Sequence, residues 1–192
     1  MLLPYRVSII NSSLAADKPL GFQSSRDDWK QLEAGSDFDL KAHLTHTLAD
    51  APLTSAERAQ IYKVIDDRSF TDSHQREKPE AVMTARVGSI GLAQDGRQQI
   101  VVELCGYAPN CSIWIFLRQG GQLQLALETG GEAVIPRGTF SHGFRDLATG
   151  WHMGAYEEDF SVYRWNGTKY NEIDCYAAKS DSTPPAITDC EK

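Results

Sequence analysis

Hydrophobic residues recur at a helical spacing in the first half of the chain. Leu40, Leu44 and Leu48 occupy every fourth position, which places their side chains on one face of an α-helix. The stretch 36–39 (Ser-Asp-Phe-Asp) offers an N-cap and an acidic first turn. Residues 50–52 (Asp-Ala-Pro) end the pattern. The sequence therefore predicts a helix that begins near residue 36 and ends before residue 50.

A second helix is predicted directly after the first. Thr54 and Glu57 form a capping box, in which each side chain can accept a hydrogen bond from the other residue's backbone amide. Ile61, Val64 and Ile65 then supply an apolar stripe. Because the connection is short, the two helices are expected to form an αα-hairpin.

From about residue 81 the pattern changes to that of β-strands. Leu123, Leu125 and Leu127 alternate strictly with polar residues, so they face one side of a strand. Turn signals separate such runs, notably the Asp-Gly pair at 95–96 and the Asn-Gly pair at 166–167. We expect an antiparallel sheet of about six to eight strands with the helices against one face or end.

The fold class predicted from these patterns is α+β. An N-terminal αα-hairpin packs on an antiparallel, internally duplicated β-sheet. The predicted organisation is a flexible segment over 1–26, a helical subregion over 27–80, the sheet over 81–178 and a disulfide-tethered tail over 179–192.

Two stretches of the β region repeat each other loosely. One covers residues 98–121 and the other residues 144–167. The offset between them is about 46 or 47 positions, which is in the range of β-blade repeats. The spacing predicts a duplicated strand-turn-strand unit.

The repeat has a family resemblance. Residues 95–102 (Asp-Gly-Arg-Gln-Gln-Ile-Val-Val), 143–148 (Gly-Phe-Arg-Asp-Leu-Ala) and 163–170 (Tyr-Arg-Trp-Asn-Gly-Thr-Lys-Tyr) resemble the core of FG-GAP/VCBS-type blade repeats. Over 88–174 the combination resembles small secreted bacterial proteins of uncharacterised function.

The sequence departs from the calcium-binding form of such repeats. Only Asp95 and Asp146 remain of the acidic loops, whereas calcium takes about six to eight oxygen ligands. Two units are also too few to close a propeller. We therefore expect a single open or strongly curved sheet without bound calcium.

Four cysteines, Cys105, Cys111, Cys175 and Cys190, favour two disulfides. The simplest connectivity pairs each with its neighbour in the chain, although the sequence allows two others. The paired C-x-x-C spacing typical of a four-cysteine metal site is missing. Disulfides indicate an oxidising compartment, so we expect a periplasmic or secreted protein, although no clean signal peptide is recognisable at the N-terminus.

Charge and hydropathy narrow the range of partners. The formal net charge is −7, which disfavours nucleic acid and anionic membrane surfaces. No apolar run approaches the roughly 18 residues of a transmembrane helix, so membrane insertion is not expected. A protein partner, such as a basic enzyme or toxin, is compatible with this charge.

Loops on a rigid sheet are the usual carriers of recognition, and two stretches stand out. They are the loop between Cys105 and Cys111 and the polar-aromatic segment 150–159. The candidate binding residues in them are Tyr107, Asn110, Trp151, His152, Tyr156, Glu157, Glu158 and Asp159.

The sequence contains no recognisable catalytic constellation. The Ser-His pairs lack a nucleophile elbow, and no phosphate-binding loop occurs. His43 and His46 lie three positions apart on the predicted helix without a neighbouring acidic or cysteine ligand, so no metal or cofactor is predicted.

Three functions stay open at this point. The first is a non-enzymatic binding module, of the inhibitor or immunity type, directed at a secreted or periplasmic enzyme. The second is a hydrolase or carbohydrate-active enzyme that uses His152 with Glu157 or Asp159 for acid–base chemistry. The third is a structural envelope protein.

Overall fold

The structure is a computed structural model that describes residue 26 and residues 40–68, 79–106, 110–179, 181 and 186–190. Residues 1–25 of the predicted flexible segment 1–26 and the start of the predicted first helix lie outside the described residues. The described helices are α1 (Leu40–His43), α2 (Ser55–Arg68) and α3 (Pro79–Met83). The described strands are β1 (His46–Thr47), β2 (Arg86–Ile90), β3 (Gln99–Cys105), β4 (Cys111–Gln119), β5 (Gln122–Gly131), β6 (Ala133–Ser141), β7 (Phe144–Gly154), β8 (Glu157–Trp165), β9 (Tyr170–Lys179) and β10 (Ala186–Asp189).

The strands form two antiparallel sheets in which spatial order follows chain order. The first sheet contains β1 to β5 and the second contains β6 to β10. The mixed α+β class with a dominant antiparallel sheet is confirmed. The expectation of one sheet with about six to eight strands is wrong, because the chain passes into a second sheet between β5 and β6.

The two sheets are joined by a shared apolar layer. Val101 and Ile115 of the first sheet belong to the same buried cluster as Leu147 and Trp165 of the second. Burial of this layer removes the inner faces of both sheets from water, which is the main stabilising contribution in such a sandwich.

Helices α2 and α3 cover the other face of the first sheet. Ile61 and Ile65 of α2 are fully buried against Trp114 and Phe116 of β4. The predicted capping box of α2 is confirmed, since the Thr54 amide donates to Glu57 Oε2 over 2.9 Å and the Glu57 amide donates to Thr54 Oγ1 over 3.1 Å.

The predicted first helix ends earlier in the chain than expected. Helix α1 ends at His43, and His46 and Thr47 form β1, which pairs with β2. Asp50 competes with helix formation, because its carboxylate accepts hydrogen bonds from the amide of Thr47 over 2.6 Å and from its hydroxyl over 2.9 Å. His43 and His46 therefore do not share a helical face.

Strands β5 and β6 are nearly continuous and meet at a sharp corner. Gly131 has φ 126°, a conformation that side-chain-bearing residues rarely adopt, and a Cβ there would overlap the carbonyl oxygen of Gly150. The next amide, that of Glu132, donates to this same carbonyl over 2.8 Å. The corner thus carries the chain from one sheet to the other against the middle of β7.

Both predicted disulfides are present. Cys105–Cys111 closes the β3–β4 hairpin with a Cα–Cα distance of 4.3 Å. Cys175–Cys190 joins β9 to the residue after β10, with a Cα–Cα distance of 5.6 Å, so part of the predicted tail is an edge strand. The pairs are consistent with an oxidising, extracytoplasmic environment.

Each of the two predicted repeat copies covers one hairpin. Residues 98–121 span β3–β4 in the first sheet, and residues 144–167 span β7–β8 in the second. Each hairpin is paired on both sides within its sheet. The duplication itself stays a prediction.

The carboxylate of Glu103 is buried, and one of its oxygens accepts no hydrogen bond from the described residues. Glu103 on β3 is 2% exposed, and its Oε1 has no hydrogen-bond partner within the described residues. Arg86 Nη1 lies 3.9 Å from Oε2, while Nη2 of the same side chain donates to the carbonyls of Lys41 and Leu44. Burial raises the pKa of Glu103 above its ordinary value.

We expect Gly131→Ala to destabilise the fold by about 2–4 kcal/mol, through strain at positive φ and overlap with Gly150. Gly138→Ala is the matched control, because Gly138 lies in β6 with open space around its Cα and no positive φ. Urea unfolding measures both variants. Equal stability of the two would contradict this view of the corner.

We expect Glu103→Met to stabilise the protein by about 1–2 kcal/mol at neutral pH, because it removes a buried charge with an unpaired oxygen. The folded chain binds the proton of Glu103 more tightly than the unfolded chain does, so ionisation begins to destabilise the fold above the unfolded pKa and does so fully above the folded pKa. The gain should shrink as pH falls through that pKa and vanish below the ordinary value of 4.5. Urea midpoints across this pH range check the effect; a gain that does not change with pH would count against it.

Candidate functional site

The β7–β8 hairpin brings most of the sequence-predicted binding residues to one end of the second sheet. Its register pairs Trp151 with Asp159 and His152 with Glu158, with an irregularity between His152 and Gly154. Paired residues in adjacent antiparallel strands lie on the same face. His152 and Glu158 therefore share one face, and Trp151 and Asp159 share the other.

Asn110 ties the first hairpin to the second. Its Nδ2 donates to the carbonyl of His152 over 3.0 Å, and its Oδ1 accepts from the amide of His152 over 2.9 Å. A side-chain amide has one donor side and one acceptor side, so it satisfies both backbone groups as a neighbouring strand would. The disulfide-closed β3–β4 turn is thereby fixed against β7.

His152 and Glu158 form a close side-chain pair. His152 Nδ1 lies 3.0 Å from Glu158 Oε1, and both side chains are partly exposed. The hydrogen bond to Glu158 raises the pKa of His152. Burial raises the pKa of Glu158, against the opposing effect of the bond to His152. Together the two groups hold a proton more tightly than separate side chains would.

Glu132 completes a cluster that sequence reasoning missed. Its carboxylate, the His152 ring and the Glu158 carboxylate each offer a ligand atom, and these atoms lie within 4.8 Å of one another. Glu158 Oε2 is buried and has no hydrogen-bond partner among the described residues. Glu132 lies 20 positions before His152, so no local motif signals their proximity.

The other two carboxylates of the segment, those of Glu157 and Asp159, do not belong to this cluster. Glu157 Oε1 pairs with Lys179 Nζ over 3.1 Å, on the neighbouring strand β9. Asp159 has its pKa raised by burial and by the nearby charge of Glu157. The pair formed by His152 is with Glu158, so a dyad of His152 with Glu157 or Asp159 has no support in these contacts.

The hairpin tip carries exposed apolar side chains. Met153 is 60% exposed and Tyr156 is 65% exposed, on either side of Gly154 and Ala155. At its base the Trp151 ring fills the space over Gly130, where a Cβ would overlap it. A solvent-facing tip therefore stands on a closely packed base. Tyr107 lies outside the described residues.

A concave site lies at the opposite end of β7. A cavity of about 480 Å³ is lined by Arg97, Gln98, Gln99, Leu117, Arg118, Gln119, His142, Phe144, Trp165 and Gly167. Its two arginines already pair with carboxylates, Arg97 with Asp95 and Arg118 with Glu57. The cavity is therefore partly neutralised rather than strongly cationic.

Comparison with known proteins gives no relative. No protein-family model, curated protein or solved structure matches this chain. The resemblance to FG-GAP/VCBS-type repeats therefore stays a prediction. Among the helices that the structure describes, none is long and apolar enough to span a membrane.

We expect Asn110→Ala to destabilise the protein by about 1–2 kcal/mol, because it removes both hydrogen bonds to the His152 backbone. Exchange of the His152 amide should accelerate by about tenfold or more. Asn171→Ala is the control, since Asn171 is exposed on β9. If the His152 amide exchanges at the same rate in both variants, Asn110 does not hold the two hairpins together.

Proposed function

We propose that the protein is a non-enzymatic binding module that recognises a basic protein surface through the β7–β8 hairpin tip. The observation that carries this proposal is the exposure of Met153 and Tyr156 at the end of a braced hairpin. Met and aromatic side chains contribute most when such a surface is buried in a complex. Single exposed apolar residues are common, but here two lie together on one turn.

Charge defines the kind of partner. Carboxylates lie close to the tip, with Glu132 and Glu158 clustered at the base of the hairpin and Glu157 and Asp159 on β8. The chain as a whole carries a formal charge of −7. A complementary positive surface would associate faster and orient correctly on such a patch, whereas an acidic partner would be repelled.

The β7–β8 hairpin is held in place by its neighbours, which favours specific recognition of a partner. Asn110 holds the hairpin from one side, and the Cys105–Cys111 disulfide closes the turn that carries Asn110. A binding surface that is already ordered loses less conformational entropy when it docks. The tip is thus suited to insertion into a cleft or against a flat epitope.

The compartment expected from the disulfides agrees with this role. Two disulfides support a periplasmic or secreted protein. An inhibitor or immunity-type role against a basic enzyme or toxin in that compartment fits the acidic, braced tip. A purely structural envelope role would need no specific soluble partner, so the same experiment distinguishes the two.

We expect the double variant Met153→Ser with Tyr156→Ser to lose partner binding by at least about tenfold, since it removes the apolar centre of the surface. The matched control is Phe140→Ser with Ile173→Ser, the other two exposed large apolar residues of the described chain. Immobilised wild type and both variants are incubated with an extract of the source organism, and bound proteins are quantified by mass spectrometry.

The supporting result is a basic protein retained by wild type and control but lost from the tip variant. Its capture should also weaken in about 1 M salt, where charges are screened within about 3 Å. Equal retention by all three proteins would overturn the tip as the binding surface. Absence of any salt-sensitive partner would favour the structural role. Matching thermal unfolding curves of the three proteins confirm that the variants fold.

A further inference from the structure

We propose that Glu132, His152 and Glu158 form a binding site for a zinc-like divalent transition-metal ion. The site does not depend on the partner-binding proposal, because its residues lie at the base of the hairpin and its occupancy can be measured alone. The three ligands come from three neighbouring segments: the β5–β6 corner, β7 and β8.

The ligand types indicate the class of ion. Two carboxylates and one imidazole are a mixed oxygen–nitrogen set, which suits zinc and related first-row divalent ions. Calcium and magnesium prefer oxygen ligands alone, so the histidine disfavours them. The four cysteines are all disulfide-bonded, and none can compete as a thiolate ligand.

The spacing of the ligand atoms is close to what such an ion needs. His152 Nδ1 and Glu158 Oε1 lie 3.0 Å apart. In a tetrahedral site with metal–ligand bonds of about 2.0–2.1 Å, neighbouring ligand atoms are about 3.3 Å apart. The carboxylate of Glu132 lies within 4.8 Å of the other two, so rotation of an outer side chain closes the remaining gap.

An unpaired atom gives a second, independent reason. Glu158 Oε2 is shielded from water yet accepts no hydrogen bond from any described residue. A buried acceptor without a partner destabilises a fold, and more so when it is charged. A cation between the three side chains would compensate Glu158 and relieve its repulsion from Glu132, which otherwise raises the pKa of Glu158.

The strands hold the ligands in place. His152 is fixed through its backbone by Asn110, and Glu158 is directly opposite it in the β7–β8 register. The backbone amide of Glu132 is bound to the carbonyl of Gly150. Binding would replace the proton shared by His152 and Glu158, with that proton released to solvent, and would leave further positions on the ion for water.

The test uses calorimetric titration of the full chain with zinc chloride, without any affinity tag. We expect one ion per chain with a dissociation constant near or below about 10 µM, and at least about tenfold weaker binding in Glu158→Gln, Glu132→Gln and His152→Gln. Cobalt chloride gives an independent readout, because its visible absorption reports nitrogen and oxygen coordination directly.

Two controls separate a built site from general attraction to an acidic protein. Glu157→Gln changes the net charge by the same amount as Glu158→Gln, but Glu157 pairs with Lys179 outside the cluster. His46→Gln removes an exposed histidine on β1. Both should bind zinc as the wild type does. Equal weakening in Glu157→Gln and Glu158→Gln, or no saturation by 1 mM zinc, would overturn the site.

Misfolding cannot imitate the expected result. Near-ultraviolet circular dichroism of each apo variant, recorded without metal, reports the packing of the aromatic side chains, among them Trp151 over Gly130. A variant with the wild-type spectrum and weakened zinc binding supports the site. If all three ligand variants keep both the spectrum and the wild-type affinity, zinc binds elsewhere and the proposal fails.

Discussion

The corner at residues 130–132 is the constraint on which the rest of the structure depends. Only a glycine fits at 131, because φ is positive and the Gly150 carbonyl occupies the space of a Cβ. This turn lets one nearly continuous strand belong to both sheets, so their apolar faces can stack. It also places Glu132 beside β7 and leaves room for the Trp151 ring over Gly130. The same corner therefore determines both how the two sheets pack and where the candidate site lies.

Local chemistry in the sequence predicts local structure well here. The capping box at Thr54 and Glu57 forms as predicted, and each cysteine bonds to its neighbour in the chain. These features depend on residues no more than 15 positions apart in the chain. The predicted first helix ends early for a related reason: the leucine spacing is helical, but the carboxylate of Asp50 accepts a hydrogen bond from the amide of Thr47, and β2 offers β1 a pairing partner. Tertiary pairing overrides a weak local preference.

Long-range geometry is what the sequence could not predict. Two adjacent glycines at 130–131 look like an ordinary turn, so nothing in the pattern indicates that the chain changes sheets there. For the same reason the sequence does not predict that Glu132 lies beside His152 and Glu158. In the structure, Glu158 faces away from its neighbours Glu157 and Asp159, since successive side chains of a strand point to opposite faces. The sequence could therefore place the segment but not the cluster.

Two buried carboxylate oxygens have no hydrogen-bond partner among the described residues, but their surroundings differ. One is surrounded only by structural groups, and the other is surrounded by possible metal ligands. Glu103 and Glu158 each bury an oxygen without a partner in the described residues. Around Glu103 the neighbouring cysteines are joined in a disulfide and Arg86 lies 3.9 Å away, so no ligand set converges. Around Glu158 a histidine and a second carboxylate converge, and the backbone of each is fixed. A destabilising group that is surrounded by positioned ligands is better explained by an ion that it binds than by chance in packing.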